Sequence, residues 1–234
     1  MKKNLLPAIA VIAIASCAQA HADTIANWTF ETSAPVTAGP LSPEVGAGSA
    51  LGFHANGSAV YSSPVGNGSS HSFSSNNWSV GDYYQFQVSA ANFTGLTLTY
   101  DQIGSSTGPR DFELEYSTNG TTFTNFGSYT VLSNSSPNVW SSTPANHITT
   151  STYTDDLTSI DDLNGAATVY FRLANLDTTA INGGTTASTG TDRVDNVIIT
   201  GTAIAAPEPS SWILGGLAIG SFALLRRRMA GSVL

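Results

Sequence analysis

The stretch FELEYSTNGTTFTNF, residues 112–126, limits the possible folds more than any other. Phe112, Leu114 and Tyr116 alternate with Glu113 and Glu115. A period of two puts the apolar side chains on one face of a strand and the acids on the other, whereas a helix would scatter both sets around its axis. Asn119-Gly120 follows at once, the dipeptide best suited to turn a strand back on itself, and residues 126–132 supply a returning partner. The signature recurs at 24–31, 83–88, 96–100, 167–173 and 193–200, where β-branched and aromatic residues lie between turn signals. No window offers a long amphipathic helix. Residues 39–49 and 181–191 are rich in Gly, Pro, Ser or Thr and read as loops. The expectation is an all-β chain folded as an antiparallel β-sandwich, in which two sheets hide their apolar faces from water.

The two ends have another character. Residues 1–22 carry two lysines, an apolar run from Leu5 to Ala15 and then small residues, the order of a secretory signal peptide. Cleavage after Ala20 or after Ala22 satisfies the small-residue rule. A rival reading makes Ile14-Ala15-Ser16-Cys17 a lipobox, with Cys17 as the lipidated first residue. With ordinary cleavage the exported chain holds no cysteine, because Cys17 is the only one, and disulfide or thiol chemistry is excluded. The boundaries expected are a signal peptide over 1–22, the sandwich over 23–203 and a linker over 204–209. A hydrophobic helix over 210–225 and a basic cytoplasmic tail over 226–234 complete the chain. The 16 residues of 210–225 would rise about 24 Å as a helix, short of the ~20 residues usual for a transmembrane span. Gly215, Gly216 and Gly220 weaken it further. Trp212 suits one interface, and the arginines that follow favour the cytoplasmic side. The expectation is a transmembrane helix that serves as a transient stop, with a permanent anchor as the alternative.

Pro207-Glu208-Pro209, then the apolar run, then Arg226-Arg227-Arg228 give the chain a resemblance to PEP-CTERM sorting-domain proteins of Gram-negative bacteria. More loosely, the opening NWTFE, the middle FELEYSTNGTTFTNF and the closing RVDNVIITG resemble the jelly-roll modules of such proteins. The resemblance implies passage through the Sec translocon and at least transient contact with the inner membrane. It implies processing by an exosortase-type enzyme and delivery to the cell surface or an extracellular polysaccharide matrix. It also implies a jelly-roll-like sandwich, in which an ion often links the first and last strands. The matching carboxylates are Glu31 and Asp195, so a structural calcium ion is one reading. The other is that Asp195 bonds a neighbouring loop, or pairs with Arg193, while Glu31 is a surface residue.

Charge and motif spacing narrow the function. Residues 23–206 hold three bases, Arg110, Arg172 and Arg193, against 15 acids, a net charge of −12. Such a surface repels nucleic acid, and no nucleic-acid partner is expected. Asp155-Asp156 and Asp161-Asp162 sit in the polar run TDDLTSIDDLNG and read as a solvated face. His54, His71 and His147 fall into no metal-ligand spacing, and no serine lies in a GxSxG turn. The chain is not expected to be an enzyme. Its leading role is that of a surface or matrix structural and adhesive protein. The alternatives are a carbohydrate-binding module or a membrane-anchored periplasmic domain. For glycan contact the candidates are Trp78 and Trp140, in Ser/Asn-rich segments. Trp28 alternates inward with Phe30, and Tyr83 and Tyr84 must point to opposite faces, so one at most is exposed.

Overall fold

The computed structural model describes residues 21–32 and 34–204. In chain order the strands are β1 (Ala22–Trp28), β2 (Val45–Gly46), β3 (Gly48–Phe53), β4 (Tyr61–Ser62), β5 (Phe73–Ser75), β6 (Tyr83–Val88) and β7 (Phe93–Gly104). There follow β8 (Asp111–Ser117), β9 (Thr124–Thr130), β10 (Leu132–Ser133), β11 (Thr152–Asp156), β12 (Val169–Asn175) and β13 (Asp192–Ala203). One sheet runs β10-β7-β13-β1-β2, with β11 on β7, β5 on β13 and β4 on β5; the other runs β3-β6-β12-β8-β9. The long strands of the first sheet stand in the order β1-β13-β7-β11, and those of the second in the order β6-β12-β8-β9. The chain crosses between the sheets at β6-β7, β7-β8, β11-β12 and β12-β13, as in a jelly roll, while β8 and β9 form a hairpin within one sheet. Pairing is antiparallel throughout the long strands, and only the short β10 runs parallel to β7.

The core follows from the alternation. Tyr84, Phe86 and Val88 of β6, Phe112 and Leu114 of β8, and Phe171 and Leu173 of β12 turn inward and are buried. They meet Leu96, Leu98 and Tyr100 of β7 and Trp28 of β1, whose ring stands edge-on to Phe86 at 5.3 Å. In β13 the alternation is broken by a bulge between Asp195 and Ile198, with Asn196 at φ 48°. The extra residue resets the register, so that Val194, Val197 and Ile199 all reach the core.

Several elements differ from the expectation. The hairpin after β8 is not a two-residue turn, since β9 begins only at Thr124. Asn119 Oδ1 accepts the backbone N–H of Thr121 and of Thr122, each at 2.9 Å, and Ser117 Oγ accepts that of Gly120 at 2.9 Å. The side chains build a longer loop from bonds a tight turn would make with backbone. The polar run TDDL is partly strand, because β11 pairs with β7 through Asp156. β3 lies where a loop gives way to small residues. Ala22 pairs with Thr202, so cleavage after Ala20 leaves β1 whole. The expected transmembrane helix is corrected: among the described residues no helix is long and apolar enough to cross a membrane. Residues 210–225 themselves, with Pro207, Glu208, Pro209 and Arg226, Arg227, Arg228, lie outside the described residues, as do 1–20.

Candidate functional site

The outer face of the β3-β6-β12-β8-β9 sheet carries one continuous stack. Phe53, at the end of β3, pairs in register with Tyr83 of β6, and their rings stack at 5.1 Å and 18°. On β12, Arg172 lies over the Tyr83 ring, its Cζ 3.8 Å from the centroid. Phe123, from the loop before β9, covers the other side of the guanidinium at 3.5 Å. Tyr170 stands edge-on to Phe123 at 6.5 Å. Gly120 is what lets this loop lie so low. Its φ is +72°, and a Cβ there would stand 2.9 Å from the Tyr170 ring. Beside the stack runs a polar row set by register, Gln85 opposite Arg172, Arg172 opposite Glu115, and Glu115 opposite Asn125. Arg172 donates from Nε to Gln85 Oε1 at 2.9 Å and from Nη2 to the Tyr83 hydroxyl at 3.0 Å. Burial, and then the charge of Glu113, raises the pKa of Glu115.

Phe53 is 46% exposed and lines a recess of ≈ 260 Å³ together with His54, Asn56 and Tyr61. An exposed aromatic beside amide, hydroxyl and carboxylate groups can stack on the apolar face of a pyranose while its hydroxyls are bonded.

Trp78 and Trp140, expected as glycan contacts, are corrected by their burial. They are 7% and 4% exposed, and both indole N–H groups are committed. Trp78 donates to the Ser75 carbonyl at 3.0 Å, and Trp140 to Ser151 Oγ at 2.8 Å. Trp78 belongs to the core, and Trp140 is buried beneath the loops beside Arg193. Trp28 is buried and Tyr84 with it, while Tyr83 faces outward.

Sequence reasoning did not find a hydrogen-bonded series at one edge of the core. His54 Nδ1 lies 2.9 Å from Asp82 Oδ2, and its Nε2 lies 2.8 Å from Ser75 Oγ. The order is that of a nucleophilic triad. Access is absent: Ser75 is 0% exposed, its Oγ also meets the Tyr84 hydroxyl at 3.0 Å, and Trp78 and Tyr61 pack against the imidazole. No acyl group reaches this serine. The series is a structural tie. Burial lowers the His54 pKa, more than Asp82 beside it restores.

The outer face of the other sheet is roofed by loops. Asp101 of β7 accepts from Thr152 Oγ1 at 2.5 Å and Asn196 Nδ2 at 2.8 Å, and lies 2.9 Å from His147 Nε2. Asp195 accepts from the Asn67 N–H at 2.8 Å and from Ser69 Oγ at 2.5 Å, and burial pushes its pKa up to about 7. Arg193 donates to the Val65 carbonyl at 2.8 Å and forms no ion pair with Asp195. Glu31 comes to the same loop, accepting the His71 N–H at 2.7 Å.

The oxygens here fit a hard cation in one respect. Ser69 Oγ has a single proton for two acceptors, Asp195 Oδ2 and the His71 carbonyl, the latter at 3.1 Å. A Cβ at Gly66 would collide with all three oxygens at once, so they converge on one point. Among the described residues no group of three or more His, Cys, Asp or Glu side chains could hold a metal. A calcium shell would need hydroxyl and carbonyl ligands beside the two carboxylates.

No family model matches this chain, and no curated protein matches it. Among solved structures it is similar to the CBM22-1-CBM22-2 tandem domain from Paenibacillus barcinonensis Xyn10C, at 15% identity and TM-score 0.46, covering 84% of this chain and 53% of that one. It is similar to the CBM22-1-GH10 modules of a Clostridium thermocellum endo-1,4-β-D-xylanase complexed with xylohexaose, at 11% identity and TM-score 0.45, covering 80% and 30%. It is also similar to the K3 cleaved adhesin domain of Lys-gingipain from Porphyromonas gingivalis, at 16% identity and TM-score 0.43, covering 76% and 99%. At these identities and TM-scores the likeness assigns neither family nor ligand.

Proposed function

We propose that the domain is a carbohydrate-binding module of an exported, adhesive protein, and that it takes a glycan on the outer face of the β3-β6-β12-β8-β9 sheet. The observation that carries this reading is Phe53, an aromatic left 46% exposed at the head of a stack that fixes its ring, beside a recess and a row of polar side chains. Rigid aromatics with little rotamer freedom left to lose bind at low entropic cost. The test is affinity electrophoresis of the exported protein through gels containing soluble polysaccharides. Retention by at least one polymer is expected, weakened roughly 30-fold by Phe53→Ala if the ring contributes about 2 kcal/mol. Retention unchanged in Phe53→Ala would sink the reading.

Export and surface delivery rest on the two ends. Residues 1–22 read as a signal peptide, and Pro207-Glu208-Pro209 followed by Arg226-Arg227-Arg228 supports sorting by an exosortase-type enzyme. Intact mass of the protein from a Gram-negative producer tests this, with new ends at His21 or Asp23 and near Pro209 expected. A chain intact to Leu234 would remove the sorting proposal. A calcium ion held by Glu31, Asp195, Ser69 and the His71 carbonyl would tie β1 to β13 and the loop between them.

A further inference from the structure

We infer that the glycan taken by this face is an acidic one, and that Arg172 holds the carboxylate of a hexuronic acid residue. The inference rests on the proposed glycan-binding role and specifies its ligand. A guanidinium carries five N–H donors in a planar fork. Two are used, Nε on Gln85 and one Nη2 proton on the Tyr83 hydroxyl. The remaining three, which include the Nη1/Nη2 edge suited to bidentate contact with a carboxylate, have no acceptor among the described residues.

The plane is also fixed from both sides, by Tyr83 at 3.8 Å and Phe123 at 3.5 Å. The rotamer entropy that an arginine normally loses on binding is therefore already spent. Acids are close at hand and are not used. Glu115 is the direct register partner on β8, yet the ion pairs among the described residues are His21–Asp23, His54–Asp82, Arg110–Asp111 and His147–Asp101. Arg172 instead turns toward β6. A planar donor edge, half-buried, immobilised and withheld from neighbouring carboxylates is a receptor for one supplied from outside. Glu113 and Glu115 nearby disfavour a dianionic phosphate and leave a monoanion as the better fit.

The experiment pairs acidic polymers (polygalacturonate, alginate and glucuronoxylan) with their carboxyl-reduced forms, and adds dextran sulfate and neutral glucans and xylans. Affinity electrophoresis is run on the exported wild type, Arg172→Gln, Arg172→Lys and Phe53→Ala. At least one acidic polymer is expected to bind, with carboxyl reduction weakening it roughly 10- to 100-fold. Arg172→Gln should weaken the native polymer by that factor more than it weakens the reduced one. Arg172→Lys should recover only part of the affinity, and Phe53→Ala should weaken both forms. Equal retention of native and reduced polymers, or preference for neutral polymers or dextran sulfate, overturns the uronate inference and leaves glycan binding intact. Retention by no polymer overturns both. Should Arg172→Gln fail to fold, the reduction pair on the wild type still decides.

Discussion

The two sheets present opposite solutions to the same problem, that of an outer face rich in polar side chains. On the β7-β13 side, loops fold down over the face and tie up its acids within the chain, Asp101 with Thr152 and Asn196 and Asp195 with Asn67 and Ser69. On the β6-β12 side the face stays open, and donors such as the Arg172 Nη1/Nη2 edge find no acceptor among the described residues. The first arrangement uses polar groups to stabilise a roof. The second keeps them for a ligand. An aromatic side chain thus has a different meaning on each side, a buried part of the roof in Trp140 and an exposed surface in Phe53.

Substitution can break that contrast. The largest effect belongs to the roofed side: Trp140→Ala removes a buried indole and its bond to Ser151, and should cost about 3–5 kcal/mol. Thermal melting should fall by roughly 2–4 °C for each kcal/mol, while glycan retention of the folded fraction stays unchanged. Loss of retention without loss of melting temperature would reverse the roles assigned to the faces. Phe53→Ala should do the opposite, losing roughly 30-fold in affinity with a melting temperature close to wild type.

Calcium sharpens the comparison further. If an ion sits at Glu31 and Asp195, a concentration 100-fold above its dissociation constant adds about 2.7 kcal/mol, or roughly 5–10 °C. The rise should vanish in Asp195→Asn. A melting curve indifferent to calcium and to chelator would leave Asp195 a purely hydrogen-bonded acid.

The smallest expected effect is on pH dependence. His54 has a folded pKa below its unfolded value, because burial disfavours the imidazolium. Above about pH 6.5 both states are neutral and its contribution is complete. As the pH falls below that value the unfolded state gains the proton first, and stability is lost. Melting curves between pH 7.5 and 5 should therefore slope less steeply in His54→Gln than in wild type. Equal slopes would mean that the imidazole titrates as freely in the fold as outside it.

Much of the fold was legible because alternation is a local property. YYQFQV separates Tyr84, Phe86 and Val88 from Tyr83, Gln85 and Gln87 without knowledge of any partner strand, and the structure places the first three in the core. The site was less legible for two physical reasons. β3 reads GSALGF, and its inward positions are Ala50 and Gly52, too small to give a hydrophobic signal, so the strand that ends in Phe53 passes for loop. The stack joins residues 53, 83, 123 and 172, which meet through the pairing of Phe53 with Tyr83, the pairing of Gln85 with Arg172 and the fold of the loop before β9. Register of that kind is not written in any single segment. The tryptophans misled for a related reason, since a Ser/Asn-rich segment that folds over a sheet buries its one large ring beneath the polar residues that surround it.

An NMR titration of the exported protein with an oligosaccharide from the best-retained polymer tests the central claim most directly. Shifts confined to Phe53, Tyr83, Gln85, Tyr170 and Arg172 and to the 118–123 loop are the predicted result. Shifts centred on the roof, at Asn67, Ser69, Trp140 and His147, would contradict the account and move the ligand to the other sheet.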